Sequence, residues 1–237
     1  MAANFEVVYE DNHLLAVNKA SGILSQGDKT GDDSILELAK AYLVKKYDKS
    51  GEAYLGLPHR LDRPTSGLII LAKTSKALSR LNKMFQDHEV QKTYWAVVKD
   101  KPNPPNGHLR HYLVRDNQKN KSTAFDKEMP GGKLAELDYQ TLYSLDNYHL
   151  LEVKPKTGRH HQIRSQLAKI GCPIKGDLKY GFPRSNHDAS IHLHARSAEF
   201  IHPVKKEKMR ITAPANSKDP IWKVCNKAFP AKASEFL

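Results

Sequence analysis

The chain has 237 residues and 39% apolar residues, which is enough to bury a sizeable hydrophobic core. Lysine and arginine total 38 against 26 acidic residues, and this net charge of +12 favours a polyanionic partner, although it also fits an ordinary basic protein. No run approaches the roughly 20 apolar residues of a membrane span, and the first residues lack a signal-peptide pattern. The two distant cysteines exclude a disulfide framework, so we expect a cytoplasmic protein.

The first third of the chain alternates short strands with helices. Two strands, at 5–9 and 14–18, flank a polar turn. Ser34 then has the features of a helix N-cap, and Glu37 completes a capping box ahead of an apolar helix face. The next predicted elements are a buried strand at 68–72 and a second helix, capped by Ser75, that continues to Gln86.

The rest of the chain is richer in strands. Strands are predicted at 90–98, 109–114, 135–145, 149–153, 191–201 and 209–213, with a loop at 103–107 and helices at 160–170 and 220–228. Because the strands are often consecutive, we expect an α+β fold with a mixed, mostly antiparallel sheet and flanking helices. No repeat or linker is visible, so a single domain over 1–237 is predicted.

The segment 59–67, HRLDRPTSG, is the most unusual in the sequence. It places Asp62 between Arg60 and Arg63, immediately before a buried strand. Neighbouring arginines favour an ionised carboxylate, and loops at the mouth of a sheet often carry catalytic residues. Asp, Pro, Ser and Gly are also ordinary turn residues, and the composition of the segment alone favours a simple turn.

Arg164 lies beside the apolar stripe of the helix predicted at 160–170, which Thr157 and Gly158 are expected to start. Burying an arginine is costly unless a carboxylate pairs with it, and Asp62 is a candidate partner. The alternative is that the Arg164 side chain extends to the surface.

Two other features allow both a functional and a structural interpretation. Strand alternation places Tyr94 on the same face as Ala96 and Val98, where it could stack on an unpaired base or simply belong to the core. His192 and His194 share a strand face, but no HExxH motif or acidic cluster accompanies them, so we expect no metal site.

These segments together resemble the RluA family of pseudouridine synthases. The resemblance extends over roughly residues 6–215, and the order and spacing of its blocks agree. The blocks are VVYEDNHLLAVNKASGIL at 7–24, HRLDRPTSGLIILAKT at 59–74, KTYWAVV at 92–98, TGRHHQIRSQLAKIGCPIKGDLKYG at 157–181 and IHLHARSAEFIHP at 191–203. Two positions depart from the family pattern: His160 stands where a small residue is usual, and Gln166 stands where a histidine is common.

The resemblance implies an RNA pseudouridine synthase that isomerises specific uridines in structured rRNA or tRNA and needs no cofactor. Asp62 would start the reaction, as nucleophile or base, Arg164 would pair with it, and Tyr94 would stack on the uracil and assist removal of the carbon 5 proton. Arg60 would occupy the space that the extracted base leaves. Further RNA contacts are expected from His59, Arg63, Lys92, Arg159 and His161.

The resemblance also implies a catalytic domain without the small N-terminal RNA-binding domain that many relatives carry. We expect a monomer with no obligatory protein partner and no membrane association. A C-terminal basic cluster, Lys205, Lys206, Lys208 and Arg210, either holds phosphates or is ordinary solvated surface. Two rival functions are a non-catalytic RNA-binding module and a metal-dependent nuclease that uses the late histidines.

Overall fold

The computed structural model describes residues 5–28, 31–232 and 234–236. They form a mixed α+β fold with mostly antiparallel strands, which confirms the predicted fold class. None of the described helices is long and apolar enough to cross a membrane. The chain divides into two compact units, Met1–Val90 with Ala195–Leu237, and Gln91–His194. The single domain stays a prediction.

The described strands and helices, in chain order, have the following bounds. The strands are β1 Phe5–Glu10, β2 Leu14–Lys19, β3 Ser66–Ala72, β4 Gln91–Val98, β5 Asn106–Asp116, β6 Lys121–Phe125, β7 Lys133–Ser144, β8 His149–Pro155, β9 Leu193–Ile201, β10 Lys208–Thr212 and β11 Glu235–Phe236. The helices are α1 Ile35–Lys46, α2 Ser75–Gln86, α3 Gln162–Lys169 and α4 Pro220–Ala228, with a 3₁₀ turn at Leu178–Tyr180.

In the first unit, β2 lies between β1 and β3 and is antiparallel to both. Strand β9 neighbours β3, β10 pairs with β9, and β11 pairs with β10. Strand β2 is apolar on both faces, because Leu14 to Val17 are all completely buried. Helix α1 starts as predicted, since the Ser34 hydroxyl accepts a hydrogen bond from the Glu37 amide and also contacts the Glu37 carboxylate.

In the second unit, the strand order is β4-β8-β7-β5-β6, and each described pairing is antiparallel. Inward-facing residues of β4, β7 and β8 form one hydrophobic core with Ile163 and Leu167 of α3. The helix therefore covers one face of this part of the sheet and buries its apolar stripe there.

Several predicted boundaries need correction. Helix α2 is capped by Thr74 and not by Ser75, because the extended Thr74 places its hydroxyl 3.1 Å from the Ala77 amide. Strand β5 begins inside the predicted loop, since Asn106 and Gly107 already pair with β7. The polar strand β6, the short β11 and the 3₁₀ turn were not predicted, because they carry little apolar periodicity.

Gly67 in β3 is predicted to be intolerant of any side chain. Its φ of +115° is unfavourable for other residues, and a Cβ there would lie 2.4 Å from the Ala195 carbonyl oxygen. We expect Gly67→Ala to destabilise the protein by on the order of 3 kcal/mol or more, since strain and a backbone clash combine. Thermal melting measures this. Gly171→Ala is the control, because Gly171 has φ +78° but open space around it, and equal losses would contradict the argument.

Candidate active site

Asp62 lies in a tight turn whose two flanks are tied to the loop that follows β2. The Thr65 amide donates to the Asp62 carbonyl at 3.0 Å and closes the turn. On one side, the buried Ser25 hydroxyl bonds both the amide and the carbonyl of Leu61, at 3.0 and 2.7 Å. On the other side, the Gly22 amide donates to the Arg63 carbonyl at 2.8 Å. The Asp62 side chain is half-buried, so a fixed backbone presents a partly accessible carboxylate.

Lys19, at the end of β2, is a buried lysine of this site that the sequence analysis missed. Its ammonium donates to the carbonyls of Ala20, Ile23 and Arg63 at 2.9, 2.8 and 3.3 Å. Burial lowers the pKa of Lys19 to about 7, and the nearby Asp62 opposes that shift. Lys19 thus ties the loop after β2 to the turn that carries Asp62.

The three basic residues next to Asp62 in the sequence, Arg60, Arg63 and His59, differ in their exposure and in their contacts within the protein. Arg60 is exposed, as a residue that enters an RNA stack must be. Arg63 is exposed but donates from Nε to the Gly22 carbonyl and forms an ion pair with Asp32 at 2.7 Å. His59 accepts from the Ile70 amide at 2.9 Å and stacks on Phe85, which gives it a structural role.

Tyr94 and Lys92 lie at the start of β4 in the second unit. Tyr94 is half-buried and packs against the core that contains Ala96 and Val98, as the predicted alternation requires. It therefore has both core contacts and some accessible surface. The Lys92 ammonium lies 3.7 Å from the position that a Cβ would take at Gly158, and burial lowers the pKa of Lys92.

Arg164 is buried, so of the two interpretations left open by the sequence, extension of its side chain to the surface is wrong. The required carboxylate is supplied within the unit by Asp177, a partner that the sequence analysis missed. Arg164 donates from Nε and Nη2 to the two Asp177 oxygens at 2.7 and 2.8 Å. Such a two-point pair fixes the plane of the guanidinium as well as neutralising it. The pairing of Arg164 with Asp62 stays a prediction.

Tyr180 lies under the same guanidinium, with the Arg164 Cζ 5.0 Å from its ring centroid. The Tyr180 hydroxyl accepts from the Ser122 amide at 2.9 Å and lies 3.0 Å from His161 Nδ1. Burial and the charge of Arg164 lower the pKa of His161 to about 2, so its imidazole is neutral. His161 is buried and therefore offers little surface to RNA.

The start of α3 differs from the prediction. The helix begins at Gln162, two residues late, because His161 adopts a left-handed conformation with φ 51°. Thr157 and Gly158 do not start the helix. The Gln162 Oε1 accepts from the Arg159 amide and the Thr157 hydroxyl, and so ties the preceding turn to the first helical residue. Arg159 remains exposed, with Nε donating to the Leu134 carbonyl at 2.9 Å.

The two positions that depart from the family pattern both make internal contacts. His160 stacks on His161 at 3.8 Å and bonds the Ser122 hydroxyl and the Asn120 side chain. Gln166 is completely buried and donates to the Ala135 carbonyl at 3.1 Å. His160 therefore joins the segment before α3 to β6 and the turn that precedes it, and Gln166 joins α3 to β7.

Residues of the late histidine group and of the C-terminal basic cluster make hydrogen bonds and ion pairs within the protein. Among the described residues, no group of three or more His, Cys, Asp or Glu side chains could hold a metal ion. His192 is buried with Nδ1 2.9 Å from the Asn186 amide. In the basic cluster, ion pairs join Lys205 to Asp11, and Lys208 and Arg210 to Glu199, which favours the solvated-surface interpretation.

The chain is similar to known proteins over most of its length. The model of the family described as RNA pseudouridylate synthase matches residues 13–169. Ribosomal large subunit pseudouridine synthase D of Zymomonas mobilis is 34% identical over 88% of this chain and 68% of that protein. The dual-specificity RNA pseudouridine synthase RluA of Escherichia coli is 32% identical over 89% of this chain and 93% of that protein. These relatives define a class of isomerases that act on RNA.

The fold of this chain is also similar to that of a solved structure from the same class of proteins. The human RNA pseudouridylate synthase domain containing 4 matches with a TM-score of 0.72 and 25% identity, over 87% of each chain. The chain spans 54% to 68% of the first large-subunit relatives, but 92% of tRNA pseudouridine synthase C of Vibrio cholerae. The chain belongs to the RNA pseudouridylate synthase family.

Proposed function

We propose that this protein converts specific uridines in structured RNA, in rRNA or tRNA, to pseudouridine by an Asp62-initiated reaction without a cofactor. The observation that carries the proposal is the Asp62 turn, held on both flanks by hydrogen bonds while the carboxylate stays partly accessible, in a chain of this family. A rigid backbone holds a catalytic group in the geometry that the reaction needs.

In the proposed reaction, the bond between the ribose and uracil nitrogen 1 breaks, the uracil turns, and carbon 5 bonds to the ribose. Carbon 5 loses its proton and nitrogen 1 gains one, so no external group or redox partner is consumed. Asp62 acts as nucleophile or base at the sugar, and Arg164 pairs with it and orients it. Tyr94 stacks on the uracil and assists removal of the carbon 5 proton.

RNA affinity in this proposal comes mainly from basic side chains that meet phosphates. The exposed Arg60, Arg63 and Arg159 and the half-buried Lys92 are the candidates that keep accessible surface. Arg60 also fills the space of the extracted base. The internal bonds of His59 and the burial of His161 support positioning roles for these two.

We also propose that the protein is cytoplasmic and monomeric. Both cysteines are free and buried, as suits a reducing compartment. Gel filtration with light scattering checks the monomer.

We expect purified protein to release tritium from RNA labelled at uridine carbon 5 without added metal or nucleotide, because protein groups alone carry the proposed chemistry. The assay uses rRNA and tRNA from cells that lack the enzyme, and a chelator with a polyamine that keeps the RNA folded. Tritium release that persists under chelation supports the proposal. RNA cleavage that stops under chelation would instead support the metal-dependent nuclease.

A further inference from the structure

One short segment provides two contacts to Arg164. Asp177 directly precedes a single 3₁₀ turn and Tyr180 is its last residue, and the Tyr180 amide donates to the Asp177 carbonyl at 3.1 Å. The Asp177 carboxylate receives one edge of the guanidinium, and the Tyr180 ring covers one of its faces. All three side chains are buried, with exposed fractions of 1%, 8% and 4% for Asp177, Tyr180 and Arg164.

We propose that Asp177 and Tyr180 are positioning residues that fix the orientation of Arg164, and through it the catalytic carboxylate. This inference rests on the proposed function, in which Arg164 pairs with Asp62. The Asp177 contacts use two of the five N–H groups of an arginine, so the guanidinium can serve a second carboxylate as well.

The two contacts restrict different motions. A bidentate carboxylate prevents rotation of the guanidinium within its plane, and an aromatic ring against its face prevents tilting. The ring is itself held, because its hydroxyl accepts from the Ser122 amide in β6 and faces the neutral His161. The orientation of Arg164 is thus set by three parts of the second unit, namely the 3₁₀ turn, β6 and the start of α3.

Stability alone does not require this arrangement, since a buried ion pair is often no better than apolar residues of similar size. An arginine that must present one edge in a fixed direction does require it. Misplacing a group at a reaction centre by about 1 Å can cost on the order of a hundredfold in rate. Orientation is therefore the property that the Asp177 and Tyr180 contacts supply.

The test compares single-turnover rate and RNA affinity in Asp177→Asn, Arg164→Lys and the double variant. We expect Asp177→Asn to lower the rate about 10- to 100-fold while RNA affinity changes by less than about threefold. In the Arg164→Lys background the same substitution should cost less than about threefold, because residues that act through one another are not additive. Rate losses that multiply fully in the double variant would overturn the proposal.

Tyr180→Phe tests the second contact without removing the buried charge. It keeps the ring but loses the hydroxyl that holds it, and we expect a rate loss of about threefold or more. Tyr139→Phe is the matched control, because it deletes the hydroxyl of another buried tyrosine of the same unit, which among the described residues donates to the Pro104 carbonyl alone. Equal rates for the two variants would contradict a positioning role for Tyr180. If Asp177→Asn melts below the assay temperature, Asp177→Glu is measured with the same criteria.

A readout without RNA separates this inference from the proposed function. The Nε–H of Arg164 gives an NMR signal that is assigned by its loss in Arg164→Lys. We expect slow solvent exchange of this proton in the wild type, and fast exchange in Asp177→Asn. If the wild type modifies no RNA but the exchange rates differ as stated, the proposed function fails and the positioning stands. If the exchange rates are equal, the positioning fails whatever the activity.

Discussion

Asp62→Asn is expected to abolish isomerisation while RNA affinity stays within a few-fold of the wild type. The reaction needs the carboxylate, and an amide of the same shape is neither a comparable nucleophile nor a base. Affinity should come mainly from lysine and arginine contacts with phosphates, which the loss of one negative charge does not weaken. The measurements are tritium release, salt-dependent RNA binding and thermal melting on the same samples.

The control for this variant is Asp87→Asn, which also removes one carboxylate from the first unit. Among the described residues, the ion pair of Asp87 is with the exposed Lys83, whose ammonium lies 2.7 Å from its carboxylate. Asp87 lies outside the Asp62 turn. It should keep wild-type turnover. A folded Asp62→Asn variant with normal turnover would show that Asp62 is not the catalytic residue. A wild type that binds RNA as tightly as the variant, while neither turns over, would favour the RNA-binding module.

Lys19→Met is expected to cause the largest loss of stability among side-chain substitutions near Asp62. Methionine fills a similar volume but removes the ammonium that bonds the carbonyls of Ala20, Ile23 and Arg63, of which the Arg63 carbonyl keeps the Gly22 amide as a donor. A hydrogen bond from a charged donor contributes roughly 1.5–3 kcal/mol, so the loss of the bonds to Ala20 and Ile23 gives an expected total of about 3 kcal/mol or more. For a chain of this length that lowers Tm by roughly 6–12 °C. Lys40→Met, which removes a partly exposed helix lysine whose ammonium lies 3.6 Å from the Glu37 carboxylate, should change stability by less than about 0.5 kcal/mol.

The difference in stability between the wild type and Lys19→Met is expected to depend on pH. The pKa of Lys19 is about 7 in the folded protein and 10.5 in its ordinary state, so between these values the unfolded chain binds the extra proton. The free energy of unfolding of the wild type should therefore rise with pH relative to Lys19→Met above about pH 7. Denaturant titrations of both proteins measure the difference. A difference that is constant or falls over this range would contradict the burial of a titrating lysine.

Much of the fold could be predicted because the relevant signals are local. The apolar runs of β2 and β3, the capping box of α1 and the amphipathic α4 each lie within one short segment. Strand β6 was missed because KSTAF is short and polar. It is stabilised instead by pairing with β5 and by contacts with Tyr180 and His160, which periodicity does not report.

The site was only partly predictable for a similar reason. The burial of Arg164 follows from its place beside an apolar stripe, but its partner Asp177 lies 13 residues away in a segment that resembles an ordinary turn. Lys19 is missed because a lysine at a strand end is usually solvated. The position of Lys19 at the end of an apolar strand could have indicated that its side chain is buried. Asp62 was recognised through the family pattern, since its own neighbours favoured a simple turn.

The most direct test of the central claim is the pseudouridine content of RNA treated with the purified protein. Total RNA from cells that lack the enzyme is incubated with the wild type or with Asp62→Asn, digested to nucleosides and separated by chromatography. The account predicts new pseudouridine, with an equal loss of uridine, for the wild type alone. No new pseudouridine with wild-type protein in any rRNA or tRNA fraction, or equal amounts with both proteins, would contradict it.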